Sequence, residues 1–285
     1  KQWHDFIGFT PDDESDDLGW ISVNHEMIIA NDSIGDGGGM TAFKVRRDPI
    51  TDLLEIVPQT LSDGRSGEFF NVDFVNTVGE TGMNCGGITS SVDGRIWTAE
   101  EWFRSSNGSL GGQVRDLDPW TINTDIPGNF AGQTIEKFEN FNYMVEIDPK
   151  EAVAIRKQYN WGRQPFEGGA IAADNRTVYL GADATPGIFS RFVSDTPGDF
   201  RSGKLYAYKH DAEGEPWVEI SSTDLETALN YTDEALAAGA TMFNRLEWVT
   251  YHDGKVYMTE TGRDNIGTRL SGGAEKGGIL DYHWI

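Results

Sequence analysis

The chain has a single cysteine, Cys85, among its 285 residues, so no intrachain disulfide can form. Basic residues are scarce, with 23 Lys and Arg against 46 Asp and Glu, for a formal charge of -23. A nucleic-acid-binding face has to be basic enough to neutralise phosphates, so nucleic acid is not expected as a partner. No stretch approaches the roughly 20 apolar residues of a membrane span. The opening residues, Lys1 to Asp5, do not read as a signal peptide, so export would require a leader already removed. The nucleophile elbow Gly-x-Ser-x-Gly, the zinc motif His-Glu-x-x-His and a phosphate-cradling loop ending in Gly-Lys-Ser/Thr are all missing. The run Gly35-Asp36-Gly37-Gly38-Gly39 has no lysine to follow it and reads as an ordinary loop.

What is plentiful is glycine (34 residues) and aromatic side chain (12%), a mixture that suits tight turns joined to aromatic strands. Three segments repeat one pattern: Val92-Asp93-Gly94-Arg95-Ile96-Trp97, Ala173-Asp174-Asn175-Arg176-Thr177-Val178-Tyr179 and His252-Asp253-Gly254-Lys255-Val256-Tyr257. Asp-Gly and Asp-Asn tolerate the positive φ of a tight hairpin, and the residues after them alternate as a strand does. The turns recur about every 80 residues, which fits either two propeller blades of roughly 40 to 50 residues or one blade with insertions. Thr41–Arg47, Tyr143–Asp148 and Lys204–Lys209 supply further strands, and Trp20 to Glu26 echoes Trp97 to Glu101. A helical insertion is expected at about 222–238, with Thr223-Asp224-Leu225-Glu226 as a capping box, Thr232 capping a second short helix and Gly239 as the stop. The expected fold is one all-β domain over 1–285, a β-propeller; a sandwich or jelly roll fits the same hairpins less simply.

Each hairpin has an acid or thiol at a matching place. Cys85, Glu167 and Glu247 fall six to eight residues before the turn aspartates, and Glu100, Asp183 and Glu260 close the return strands. On a propeller, equivalent positions of the innermost strands face one axis, and acids gathered there must take up protons or hold cations. Oxygen ligands suit calcium, and a thiolate suits a transition metal. A lone cysteine is commonly just a small buried hydrophobe, and most of the acids must simply be solvated surface. The setting Asn84-Cys85-Gly86-Gly87 argues otherwise for Cys85, because two glycines let backbone approach something closely. His25 is not expected as a ligand.

At these residues the sequence resembles the PhoX-type alkaline phosphatases. The resemblance runs through Asn24-His25-Glu26, Asn84-Cys85-Gly86-Gly87, Thr98-x-Glu100-Glu101, Gly162-Arg163 with Glu167, Asp183, Phe192-Val193-Ser194, and Gly239-Ala240-Thr241-Met242 leading to Arg245-x-Glu247. It implies a six-bladed propeller holding two ferric ions and calcium ions, and hydrolysis of phosphate monoesters in the periplasm or outside the cell. By it, Cys85, Glu167 and Glu247 are iron ligands, Glu100 and Asp183 are calcium ligands, and Asn24 and Arg245 contact the substrate phosphate. Two family positions differ: a His-Glu pair is Phe166-Glu167 here, and a Gly-Asp-Asp run is Gly181-Ala182-Asp183. Family members are longer, so further polypeptide after Ile285, or a second chain, is expected to complete the ring. A calcium-binding propeller without catalysis and a calcium-dependent lactonase or esterase are the competing readings.

Overall fold

The structure is a computed structural model that describes residues 3–27, 38–111, 114–210, 213–262 and 281–284. The loop expected at Gly35 to Gly37 lies outside them. Among the described residues the chain is mostly β-sheet, in four antiparallel sheets of three to five strands that follow one another in sequence, with three two-stranded ribbons besides. The first sheet is built from β1 (His4–Pro11), β2 (Leu18–His25), β3 (Met40–Arg47) and β4 (Leu54–Ile56), with a fifth, two-residue strand, Phe70–Asn71, also paired to β3. The second runs β5 (Asn84–Thr89), β6 (Ile96–Glu100), β7 (Met144–Asp148) and β8 (Val153–Lys157). The third contains β9 (Phe166–Ile171), β10 (Thr177–Ala182), β11 (Ser190–Thr196), β12 (Asp199–Tyr208) and β13 (Trp217–Ile220). The fourth holds β14 (Leu246–His252), β15 (Lys255–Glu260) and β16 (Asp281–Trp284).

Apart from that added strand, every sheet is a meander that starts on its first strand. Those first strands pack in series: β1 against β5, β5 against β9, and β9 against β14. This is the propeller-like arrangement, with first strands innermost and later strands stepping outward. The 80-residue repeat is therefore one sheet with long insertions, not two. In the second sheet the insertion is residues 101–143, between β6 and β7.

The three repeated turns are the β5–β6, β9–β10 and β14–β15 hairpins. Gly94, Asn175 and Asp253 take the positive φ they need, at 68°, 51° and 48°. Trp20 to Glu26 and Trp97 to Glu101 resemble each other because β2 and β6 are both second strands.

Alternating side chains put one face of each strand between sheets. Phe6, Ala42, Phe70, Ile96, Val145 and Ile147 fill the space between the first two sheets. Ile88, Trp97, Phe166, Val178, Phe192 and Tyr231 belong to the core between the second and third. Ala170, Phe189, Leu246, Val249 and Met258 join the third to the fourth.

The helical insertion is α1 (Leu225–Leu229) followed by α2 (Tyr231–Ala237). Asp224, rather than Thr223, is the cap, accepting from the Thr227 amide at 2.9 Å. Thr232 lies inside α2, which starts one residue earlier, directly after Asn230. Gly239 follows the helix with φ 86°, as a stop residue should.

Candidate metal centre

Register assembles the site. In the four innermost strands the second residue is Asp5, Cys85, Glu167 and Glu247. The residue ahead of each pairs across the hairpin: His4 with His25, Asn84 with Glu100, Phe166 with Ala182 and Leu246 with Glu260. Successive side chains of a strand point to opposite faces, so the residues one step further along share the opposite orientation. On the return strands these are Glu26, Glu101, Asp183 and Thr261.

The two sets converge. The Cys85 thiol lies 3.0 Å from Glu167 Oε1 and 3.4 Å from Asp5 Oδ2. Donor atoms lie within 4.8 Å of one another in three overlapping groups: Asp5 with Cys85 and Glu167, Glu26 with Cys85 and Glu101, and Glu101 with Glu167 and Asp183. Glu247 adjoins them, accepting from the Thr261 hydroxyl and lying 3.3 Å from the Arg245 guanidinium. Arg245 itself forks onto Asp183, with two contacts of 2.8 Å. That bidentate contact holds the guanidinium charged, above its ordinary range.

The electrostatics are those of crowded, buried acids. Burial, then the charges of Glu167 and Asp183, push the Glu101 carboxyl up to about 10. Burial holds Glu167 well above the carboxylate range, and Glu247 and Glu26 are raised for the same leading reason. The Cys85 thiol is pushed up by burial and by neighbouring Glu167. Among the described residues no hydrogen-bond donor reaches the buried Glu101 Oε2, whose carboxyl adjoins that of Asp183.

Two features hold this geometry. A Cβ on Gly86 would sit 1.5 Å from the Glu167 carbonyl oxygen, so only glycine lets β5 and β9 approach there. The Asn24 amide donates to the Cys85 and Gly86 carbonyls, at 2.6 and 2.7 Å, and its oxygen accepts from Thr98 at 2.9 Å. Below the cluster, the segment from Glu101 to Arg104 is anchored by Asn142, which donates to the Glu101 carbonyl at 2.7 Å and accepts from the Arg104 amide at 3.0 Å.

Of the residues singled out from sequence, Cys85, Glu167, Asp183, Glu247 and Arg245 come together. Glu100 does not. It is on the other face, bound to Lys157 at 2.9 Å, with both side chains at most 1% exposed. Thr81 and the Tyr143 amide complete its shell at 2.7 and 3.1 Å. Its neighbour Glu101 takes the place expected for it. Asn24 likewise faces the backbone of Cys85 and is fully buried, so it positions the thiol and has no free edge for a phosphate. Asp5 is not singled out from the sequence, and Glu26 and Glu101 stand there only within the resemblance motifs, not as ligands. The echo between β2 and β6 was the available signal, because stepping back one strand from each leads to Asp5 as the counterpart of Cys85. Phe166 and Ala182, the two departures, pair with each other across the hairpin and are both buried.

Removing one member of the Glu100–Lys157 pair strands the other in the interior. Lys157→Met should cost about 3–5 kcal/mol in chemical denaturation, and adding Glu100→Gln should recover much of it. A single variant as stable as the double would show that the pair carries no such penalty.

A family model described as "Alkaline phosphatase PhoX" matches residues 67–283. Among solved structures, Pseudomonas fluorescens PhoX in complex with vanadate, a transition state analogue, superposes with a TM-score of 0.61 at 18% identity. The match covers 96% of this chain and 60% of that one, so the chain spans less than two thirds of its neighbour's length. No curated protein matches.

Proposed function

Because the chain belongs to the PhoX alkaline phosphatase family, we propose that its acid and thiol cluster holds iron and calcium and that the protein hydrolyses phosphate monoesters at that centre. The observation that supports this is the overlap of the three donor groups around Cys85, Glu101 and Glu167. Six carboxylates and a thiol in such a space need positive charge, and Arg245 supplies only part of it.

The donor chemistry divides the cluster. Asp5, Cys85, Glu167 and Glu247 offer a thiolate with carboxylates, a set for iron; Glu101, Asp183 and Glu26 offer oxygen alone, a set for calcium. When bound, the cations would supply Lewis-acid polarisation of the phosphoryl oxygens and neutralise their charge.

The chain's own groups do the rest. Arg245 presents a planar fork, suited to two phosphoryl oxygens, into a cavity of about 430 Å³ lined by Glu101, Asp183 and the aromatic rings of Trp102 and Phe103. Its backbone holds φ 67°, a costly conformation for a long side chain, and its amide donates to the Ala184 carbonyl at 2.8 Å. Asp183 holds the guanidinium in place until a ligand shares it. Asn24 and Gly86 keep the thiol aimed at Glu167.

A six-bladed ring, completed by further polypeptide or by a second chain, is part of the same proposal, as is export to the periplasm or medium. Among the described residues no helix is long and apolar enough to cross a membrane.

Protein purified without added metal should carry iron and calcium by elemental analysis and turn over an aryl phosphate. Exhaustive chelation should abolish turnover, and at a ligand concentration of about 1,000 Kd the metal adds about 4 kcal/mol of stability, readable as a fall in Tm on chelation. Iron-free protein with calcium-dependent Tm and no turnover would replace this reading with the non-catalytic one. Turnover of lactones without phosphate esters would favour the lactonase.

A further inference from the structure

Beside the Arg245 cavity lies a second, larger one of about 510 Å³, within the roughly 300–1,000 Å³ of small-molecule sites. The two adjoin. Phe103 lines both, and Asp183 in the first is followed directly by Ala184 in the second. Phe103, Phe138, Pro165, Pro186 and Leu229 supply the apolar part of its lining, and Ser105, Asn230 and Thr232 supply neutral polar groups.

These walls are preorganised. The Arg163 guanidinium sits 4.5 Å from the Phe103 ring centroid and 5.5 Å from that of Phe138. Arg163 is itself held by the carbonyls of Phe141 and Phe138, both at 2.9 Å. Phe103 stays about half exposed, so its ring is open to a ligand. Glu139 and Asp233 also line it, and their charge disfavours a second anionic group there.

The geometry points to the apolar part of this cavity, around Phe103, Phe138 and Leu229, as the seat of the ester's organic group, and so to phosphate monoesters of neutral aryl or bulky apolar alcohols as the preferred substrate class. This rests on the phosphatase reading: with the phosphoryl group at Arg245, the shared wall at Phe103 carries the ester oxygen's substituent into the larger space. Rings stack on rings, and apolar area leaves water. Small polyol phosphates gain neither.

The test compares 1-naphthyl phosphate with glycerol phosphate on the metal-loaded protein. Wild type should prefer the naphthyl ester in kcat/KM by at least about tenfold. Phe103→Ala, at a half-exposed position, should cut that preference about tenfold, chiefly through a higher KM for the naphthyl ester. Leu229→Gln should shift the ratio in the same direction. A preference absent in wild type, or a ratio unmoved by both substitutions, overturns the cavity assignment and leaves the phosphatase reading standing. No turnover of either ester overturns the phosphatase reading and this assignment with it.

Discussion

Cys85→Ser protein should be purified without iron, without visible absorbance from thiolate-to-iron charge transfer, and with phosphatase activity down by at least about 10³-fold. The reason is a loss of charge balance as well as of a ligand. The thiol is the one soft donor in the cluster and contacts both Glu167 and Asp5. Serine keeps a hydrogen-bonding group beside Glu167, so the fold has no cause to fail, and on the proposed assignment calcium would still bind at Glu101 and Asp183. The expected signature is therefore selective: iron and colour gone, calcium-dependent stabilisation retained. Activity losses of that size follow when a group that stabilises the transition state through bound cations is removed. Elemental analysis, absorbance and turnover of one preparation check the three parts together. A variant that keeps its iron and its turnover would take Cys85 out of the centre.

Gly86→Ala should do more damage than any substitution of a ligand. The new Cβ would meet the Glu167 carbonyl oxygen at 1.5 Å, and both sides of that contact are backbone. No side-chain rotation relieves it, so β5 and β9 must part. Parting them separates Cys85 from Glu167 and opens the packing of Ile88 against Phe166 and its neighbours. The cost should exceed about 4 kcal/mol, at the extreme of single substitutions, and appear as loss of soluble protein or of cooperative unfolding. Gly168→Ala is the comparison. Its nearest atom is at 3.3 Å, which a small shift accommodates. Equal stability of the two variants in chemical denaturation would mean that the close approach of the innermost strands is not what orders the site.

Much of this was legible in the chain because it depends on short-range chemistry. Turn residues announce hairpins, since positive φ is cheap for few side chains, and Asp93-Gly94, Asp174-Asn175 and Asp253-Gly254 all lie in hairpins. The shared offset of Cys85, Glu167 and Glu247 from those turns carried over directly, because distance along a strand sets which face a residue takes. The first sheet has no such Asp-Gly signature, and so Asp5 went unnoticed. Glu100 and Glu101 could not be separated, because two adjacent acids at the end of a strand look alike until pairing decides which faces the core. Asn24 is a phosphate contact only as the family resemblance implies, and a motif carries no side-chain direction; in the fold its amide meets the Cys85 and Gly86 carbonyls.

By itself, then, the sequence determined the hairpins, the all-β class, the acidic character and the lone thiol set between glycines. Each follows from local conformational cost or from composition. Only the tertiary structure decided that the repeat is one sheet and not two, that Lys157 claims Glu100, and that Glu26, Glu101 and Asp5 join the cluster. Those outcomes depend on register between strands and on packing between sheets, where residues far apart in the chain compete for the same space. A residue's type limits what it can bind; its neighbours across the fold choose among the possibilities.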